Sequence, residues 1–284
     1  MISVLQKIRI HPLFWVVIAT GIVTGYFYEI LMLFFIVFVH ELGHAFMAHK
    51  YKWRIKKIEL LPFGGVAEIN EYGNRPLKEE VAVTIAGPIQ HVLLAGLSFI
   101  MLLTPYWDAA DHQTFLFHNG VIFFFNLLPV WPLDGGKLLF FASTAFMPYR
   151  KAQKYFLVLS FCILVFLTIG TILSFPYHLQ SWVILLFLYI SHYLERKQQP
   201  YGFFRFLLER NRMFVKGVLP SRTEKVSQHT RLIDAAKMIR KNAHTMFLIV
   251  ENGEKVSEEE LLYGITRENV GMKSFSTFLT SDKR

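Results

Sequence analysis

Between residues 13 and 195 the chain strings together apolar runs far longer than a water-soluble core of this size requires. They fall at 13–28, 29–50, 80–104, 115–146, 155–175 and 181–195. Such lengths approach or exceed the roughly 20 residues a helix needs to cross a bilayer. Of the 284 residues 53% are hydrophobic, Phe alone occurs 28 times, and the mean hydropathy is +0.36. The expected class is an α-helical multi-pass membrane protein with about six spans. Lys7 and Arg9 precede the first run and no small-residue cleavage site follows it, so that run reads as a retained span rather than a removed signal peptide. The single cysteine, Cys162, rules out a disulfide framework within the chain and any Cys-based metal cluster.

The basic residues orient these spans. One set of links holds Lys7 and Arg9, then Lys50, Lys52, Arg54, Lys56, Lys57, Arg75 and Lys78, then Arg150, Lys151 and Lys154, then the tail. The other set, near Tyr28, at 105–114 and at 174–180, has no Lys or Arg. The split follows the positive-inside rule and puts both termini on the cytoplasmic side. It also accounts for the net charge of +9 without a nucleic acid partner, and none is expected.

Two stretches differ from the spans. Residues 58–69, IELLPFGGVAEI, are too short to cross; Gly64 and Gly65 between β-prone flanks suggest a hairpin, either re-entrant among the helices or an ordinary cytoplasmic one. After Glu195 charged and polar residues take over, and the rest reads as a small α+β cytoplasmic domain. Within it 230–242 has helical spacing with Thr230 as a candidate cap, 246–250 is strand-like, and 263–265 is a candidate second strand.

His40-Glu41-Leu42-Gly43-His44 matches H-E-x-x-H. On a helix, positions i and i+4 share a face, so two imidazoles can hold one metal ion while the adjacent glutamate reaches a bound water. Zinc suits such ligands. A charged group inside an apolar span costs at least about 2.5 kcal/mol on insertion scales, so three ionisable neighbours there need a reason. Two histidines leave zinc one protein ligand short. The best candidate is Asp134, in Asn126-Leu-Leu-Pro-Val-Trp-Pro-Leu-Asp134-Gly-Gly, where Pro129 and Pro132 break the helix and Gly135 and Gly136 let it turn. Asn126 either satisfies the broken backbone or holds substrate and stabilises an oxyanion. His44 precedes Lys50 by six residues, roughly 9 Å of helix, and the fourth run brings Asp134 toward the same depth. His49 lies off the ligand face. The other histidines read as surface or packing residues, with His91, beside Gln90, the one worth following.

With HELGH on one run and NLLPVWPLDGG on another, the chain resembles the site-2 protease family of intramembrane zinc proteases. Phe63-Gly64-Gly65 and Ala86-Gly87-Pro88 belong to the same likeness, which covers residues 1–195. The resemblance implies that His40, His44 and Asp134 bind one zinc ion and that Glu41 is the catalytic base. It also implies that the hairpin around Phe63, Gly64 and Gly65 is re-entrant and offers a strand edge to an extended protein substrate. Many members carry an Asn shortly after the AGP; here Gln90 and His91 follow.

Beyond a linker at 196–204, residues 205–284 resemble a single CBS motif. Such motifs work in pairs, which implies a homo-oligomer. They bind adenine nucleotides such as ATP, here through Gly264 and Thr266, with Asn269 where the family sequence has Asp. Within this branch the likeness is to members that remove the pro-sequence of a sporulation transcription factor precursor of the sigma-K type and are held inactive by partner membrane proteins. That implies a pro-sigma-factor-like substrate and a place in the mother-cell membrane around the forespore. Two other readings stay open on residues alone. A metal-ion transporter would use the same His and Asp groups as a transit site. A di-iron oxygenase would need more paired histidines than the one pair here.

Overall fold

The computed structural model describes residues 8–10, 12–53, 55–61, 64–69, 75–174, 176–213, 220–266, 271 and 273–281. The chain divides into two compact units. The first comprises 1–71, 78–129 and 133–138; the second comprises 72–77, 130–132 and 139–284.

The first unit opens with β1 (Ile8–Ile10), α1 (Pro12–Thr24) and α2 (Phe27–Lys50). α2 ends in a Schellman turn: Lys52 N–H donates to His49 O, Trp53 N–H to Ala48 O, and Lys52 takes the left-handed φ of 57° that glycine usually supplies. Trp53 Nε1 then donates to Glu79 Oε2 at 2.9 Å, tying the end of α2 to the first turn of α3 (Leu77–Met101).

Between these helices lie β2 (Ile55–Leu61) and β3 (Gly64–Ile69), which pair antiparallel with Leu61 opposite Gly64 and Leu60 opposite Gly65; β1 pairs parallel to β2. The hairpin expected from the sequence is present, with the two glycines opening its second strand. Phe63 lies outside the described residues.

α4 (Ala109–Asn126) is capped by Asp108, whose carboxylate accepts from Asp111 N–H at 2.8 Å. The expected break follows. Residues 127–133 leave the helix, and α5 (Asp134–Phe146) starts on Asp134 itself. A Cβ on Gly135 would collide with the carbonyls of Leu127 and Leu128, so the turn admits no side chain there. A carboxylate at the first position of a helix also meets the positive end of its dipole.

In the second unit α6 (Tyr149–Ser174) and α7 (Leu179–Met213) are joined by reciprocal amides. Gln153 Nε2 donates to Gln199 O at 3.4 Å and Gln199 Nε2 to Gln153 O at 3.1 Å. α7 has 35 residues, about 52 Å at helical rise, which exceeds the roughly 30 Å of a hydrocarbon core. Residues 196–204, expected as a linker, are therefore helical. From Phe203 onward the helix enters the buried core of the C-terminal region, with Phe203, Phe206 and Leu207 in it, and Tyr149 stacks on Phe206 with centroids 4.2 Å apart.

That region holds a three-stranded sheet in the order β4 (Ser221–Val226), β5 (His244–Ile249), β6 (Lys255–Ser257). The first pair is parallel across α8 (Leu232–Ala236), the second antiparallel. α9 (Glu258–Thr266) and α10 (Phe275–Ser281) complete it.

Two sequence expectations need correction here. The helix foreseen over 230–242 shrinks to α8, with Arg231 rather than Thr230 at its N-cap. After Ala236 the turns tighten, with Met238 N–H donating to Ala235 O and Ile239 N–H to Ala236 O. Ile239 is fully buried and its carbonyl accepts from Tyr149 N–H, so tertiary contact claims it. The strand foreseen at 263–265 is the end of α9. Ser257 Oγ accepts from Glu260 N–H at 3.2 Å and Glu260 Oε2 from Ser257 N–H at 2.8 Å, a capping box that starts a helix. Glu258, Glu259 and Glu260 in its first turn favour it further.

Among the described residues α2, α3 and α6 are long and apolar enough to cross a membrane, and α1 contains a shorter apolar stretch, Trp15–Thr24. Their outer faces stay bare: Val92, Leu93 and Ile100 on α3, and Val158, Phe166 and Leu173 on α6, are each more than half exposed. Water would not tolerate such continuous apolar faces, whereas lipid does.

Candidate metal centre

His40, His44 and Asp134 are buried and meet within the first unit. His40 and His44 lie one helical turn apart on α2, and Asp134 reaches them from the start of α5. His40 Nε2 and His44 Nε2 are 3.0 Å apart, and Asp134 Oδ2 lies 3.1 Å from the first and 3.0 Å from the second. One ligand atom from each residue falls within a 4.8 Å span, a group that could hold a metal ion.

The chemistry of these atoms tests the fit. His44 Nδ1 donates to Val83 O at 2.8 Å, and a carbonyl can only accept, so the ring hydrogen sits on Nδ1. In the neutral ring Nε2 then presents a lone pair to Asp134 Oδ2, itself an acceptor. A proton relieves one such contact among the three atoms; a cation placed between them relieves all of them at once. Two imidazole nitrogens and one carboxylate oxygen are ligands that zinc takes in open, catalytic sites. The other oxygen, Asp134 Oδ1, accepts from Lys137 Nζ at 3.0 Å, which leaves Oδ2 alone facing the histidines.

Glycines let the backbone come this close. A Cβ on Gly87 would land on the Nε2 and Cε1 atoms of His44 and 2.8 Å from His40 Cε1. A Cβ on Gly43 would meet Ala86 O at 2.5 Å and Gln90 Cγ at 2.6 Å. The AGP sequence of α3 is thus the wall against which both imidazoles rest.

The remaining sequence candidates divide. Glu41 is buried beside His40 on α2. His49 is exposed, as its angle on the helix foretold. Asn126 is partly buried at the end of α4 and donates from Nδ2 to Ile122 O at 3.0 Å, a carbonyl within α4 rather than in the broken stretch that follows. Gly264 packs against Phe278, whose Cε2 would lie 2.7 Å from a Cβ there, and Thr266 Oγ1 donates to Leu262 O at 2.7 Å. Asn269 is outside the described residues. His91, read as surface or packing, is buried with Nε2 3.0 Å from His40 Nδ1. Only its neighbour Gln90 and its place in an apolar run hinted at a polar role.

A buried HExxH helix completed by an aspartate from a broken helix, in a chain with lipid-suited faces, defines a membrane metallopeptidase. The chain belongs to peptidase family M50, whose profile matches residues 28–110 and 111–167. It is 38% identical over 269 residues to stage IV sporulation protein FB of Bacillus subtilis, covering 92% of each chain. It is 33% identical over 129 residues to the zinc metalloprotease MJ0392 of Methanocaldococcus jannaschii, 44% of this chain and 37% of that one. Among solved structures it resembles the site-2 protease from Methanocaldococcus jannaschii, with a TM-score of 0.51 and 27% identity over 66% of this chain and 89% of the other. The protein is an integral membrane metallopeptidase, and membership of a peptidase family decides against transport and oxygenase chemistry.

Proposed function

We propose that His40, His44 and Asp134 hold one zinc ion and that Glu41 is the base in intramembrane hydrolysis of a protein substrate. The observation that carries this is the convergence of His40 Nε2, His44 Nε2 and Asp134 Oδ2 at 3.0–3.1 Å. A zinc ion bound there supplies Lewis-acid polarisation of the scissile carbonyl and lowers the pKa of the attacking water. The chain's own groups do the rest. Glu41 takes the water's proton and delivers it to the leaving amine. Lys137 holds Asp134 Oδ1, so the carboxylate keeps one orientation. The substrate segment has to be extended, since a helix hides its carbonyls in hydrogen bonds. The β2–β3 hairpin is an edge that can take it as an added strand, and Asn126 can contribute polar support.

The positive-inside charge pattern supports a six-span topology with both termini cytoplasmic, a catalytic domain over 1–195 and a regulatory one over 205–284. Cleavage then falls at or just inside the cytoplasmic boundary. The 38% identity over 92% of both chains supports a sporulation substrate, the pro-sequence of a sigma-K-type precursor, and control by inhibitory membrane partners. The tail's likeness to a CBS motif supports pairing between chains and an adenine nucleotide near Gly264, Thr266 and Asn269.

Co-expression with candidate cytoplasmic pro-proteins tests the reading. Wild type is expected to shorten a sigma-K-type precursor. Glu41→Gln is expected to keep zinc and lose at least about 100-fold in cleavage rate. Cleavage by Glu41→Gln at the wild-type rate would sink the mechanism. An intact precursor beside wild type, with another pro-protein cut, would replace the substrate alone.

A further inference from the structure

A buried polar chain runs from His40 away from the metal-facing atoms. His40 Nδ1 lies 3.0 Å from His91 Nε2, His91 Nδ1 lies 2.8 Å from Asn119 Oδ1, and Asn119 Nδ2 lies 2.8 Å from the backbone carbonyl of His91. All three residues are buried. We propose that His91 and Asn119 are positioning residues that fix the tautomer and angle of the His40 ring, so that its Nε2 lone pair is held toward the metal. This rests on the reading of His40 as a zinc ligand.

The hydrogen positions follow from one fixed point. The carbonyl of His91 can only accept, so the Asn119 amide turns its NH2 toward it and its Oδ1 toward His91 Nδ1. Oδ1 can only accept, so His91 Nδ1 carries the hydrogen. In the neutral ring His91 Nε2 is then an acceptor, and it faces His40 Nδ1. His40 Nδ1 therefore donates, and its own Nε2 is left with a lone pair beside Asp134 Oδ2. No alternative neutral arrangement satisfies every member.

His44 reaches the same end by a shorter route, through Nδ1 donating to Val83 O. Both starting carbonyls, of Val83 and His91, belong to α3. One helix thus sets the tautomers of both imidazoles while Gly87 of that helix gives them room. In the second route two side chains, His91 and Asn119, relay the constraint from the carbonyl to His40. Partners of this kind around ligating histidines hold ring orientation and raise basicity; losing them typically costs 10- to 100-fold in metal affinity.

The competing role is plain adhesion between α3 and α4, which zinc would not sense. The test uses the purified full-length chain in detergent, with the zinc dissociation constant read by competition against a chromophoric chelator. His91→Leu is expected to weaken zinc about 10- to 100-fold. His91→Gln, whose amide oxygen still accepts from His40 Nδ1, recovers part of this. Asn119→Leu, which touches no ligand, is expected to lose about tenfold, whereas Asn119→Asp keeps the acceptor for His91 and stays nearer wild type. Saturating zinc should restore part of the peptidase activity of His91→Leu, which adhesion alone would not predict.

If His91→Leu does not fold, the two Asn119 variants carry the comparison. Wild-type zinc affinity in His91→Leu and Asn119→Leu, with His44→Ala losing zinc, overturns the positioning role and leaves the metal reading standing. Wild-type affinity in His44→Ala overturns both.

Discussion

Asp134 and Glu258 are both buried carboxylates, and their surroundings treat them in opposite ways. Glu258, at the start of α9, accepts from Arg210 Nε at 2.8 Å and from Thr245 N–H at 2.8 Å. Arg210 spends its other nitrogens on the carbonyls of Lys241 and Ala243. Each guanidinium nitrogen of Arg210 and each carboxylate oxygen of Glu258 has a partner. Asp134 has one oxygen satisfied by Lys137 and the other turned toward the Nε2 atoms of His40 and His44, the latter ring having its hydrogen on the far side. Buried charge is expensive unless compensated. The first cluster compensates itself and serves architecture, anchoring the end of α7 to the sheet. The second leaves a place that could hold a metal ion, which the proposed function puts to chemical use.

Breaking the closed cluster should have the largest effect. Arg210→Met leaves Glu258 buried without its cation and should cost about 3–5 kcal/mol, seen as a lower thermal midpoint of the C-terminal region. The double variant Arg210→Met/Glu258→Leu should regain most of it, because an apolar pair can replace a buried ion pair. Failure of the double variant to recover would mean that Arg210 matters through its carbonyl contacts instead. At the open cluster, Gly87→Ala pushes a methyl into both imidazoles. Misplacement on an ångström scale costs on the order of 100-fold in turnover, and zinc affinity should fall with it while α3 stays helical. Unchanged affinity would show that the histidines have room that the geometry denies them.

The smallest effect concerns an exposed carboxylate. Glu251 accepts from Ser227 Oγ–H at 2.6 Å and Gln228 N–H at 3.0 Å, and these bonds hold its carboxyl below the ordinary range. Because the folded value is depressed, its stabilisation is present above the usual carboxylate pKa of about 4.3 and is lost as pH falls through the folded one. The thermal midpoint of wild type should therefore drop more on acidification than that of Glu251→Gln, the two converging at low pH. Parallel profiles would remove this contribution.

Much of the metal centre was legible in the chain because its parts are local. His40, Glu41 and His44 sit within five consecutive residues, and the prolines and glycines around Asp134 announce a helix break. The hairpin too could be read from its glycines. The C-terminal region was harder. Ser257 and Glu260 form a capping box that the sequence carries openly, yet the apolar triplet at 263–265 read as a strand because short apolar runs do not separate helix from strand. The helix over 230–242 fell short because Ile239 is claimed by Tyr149, a residue 90 positions away.

By itself the sequence determined the apolar spans, the helix that carries HELGH and the place where another helix must break. Each follows from spacing along the chain, where a helical turn or a proline acts on its immediate neighbours. The tertiary structure decided which carboxylate oxygen faces the histidines, which group each ring nitrogen meets, and why Gly87 bears no side chain. His91 stands 51 residues from His40 and 28 from Asn119, and those separations leave no periodic trace. Hydrogen-bond direction is a property of groups in contact, and only the packing of α2, α3 and α4 brings these groups together.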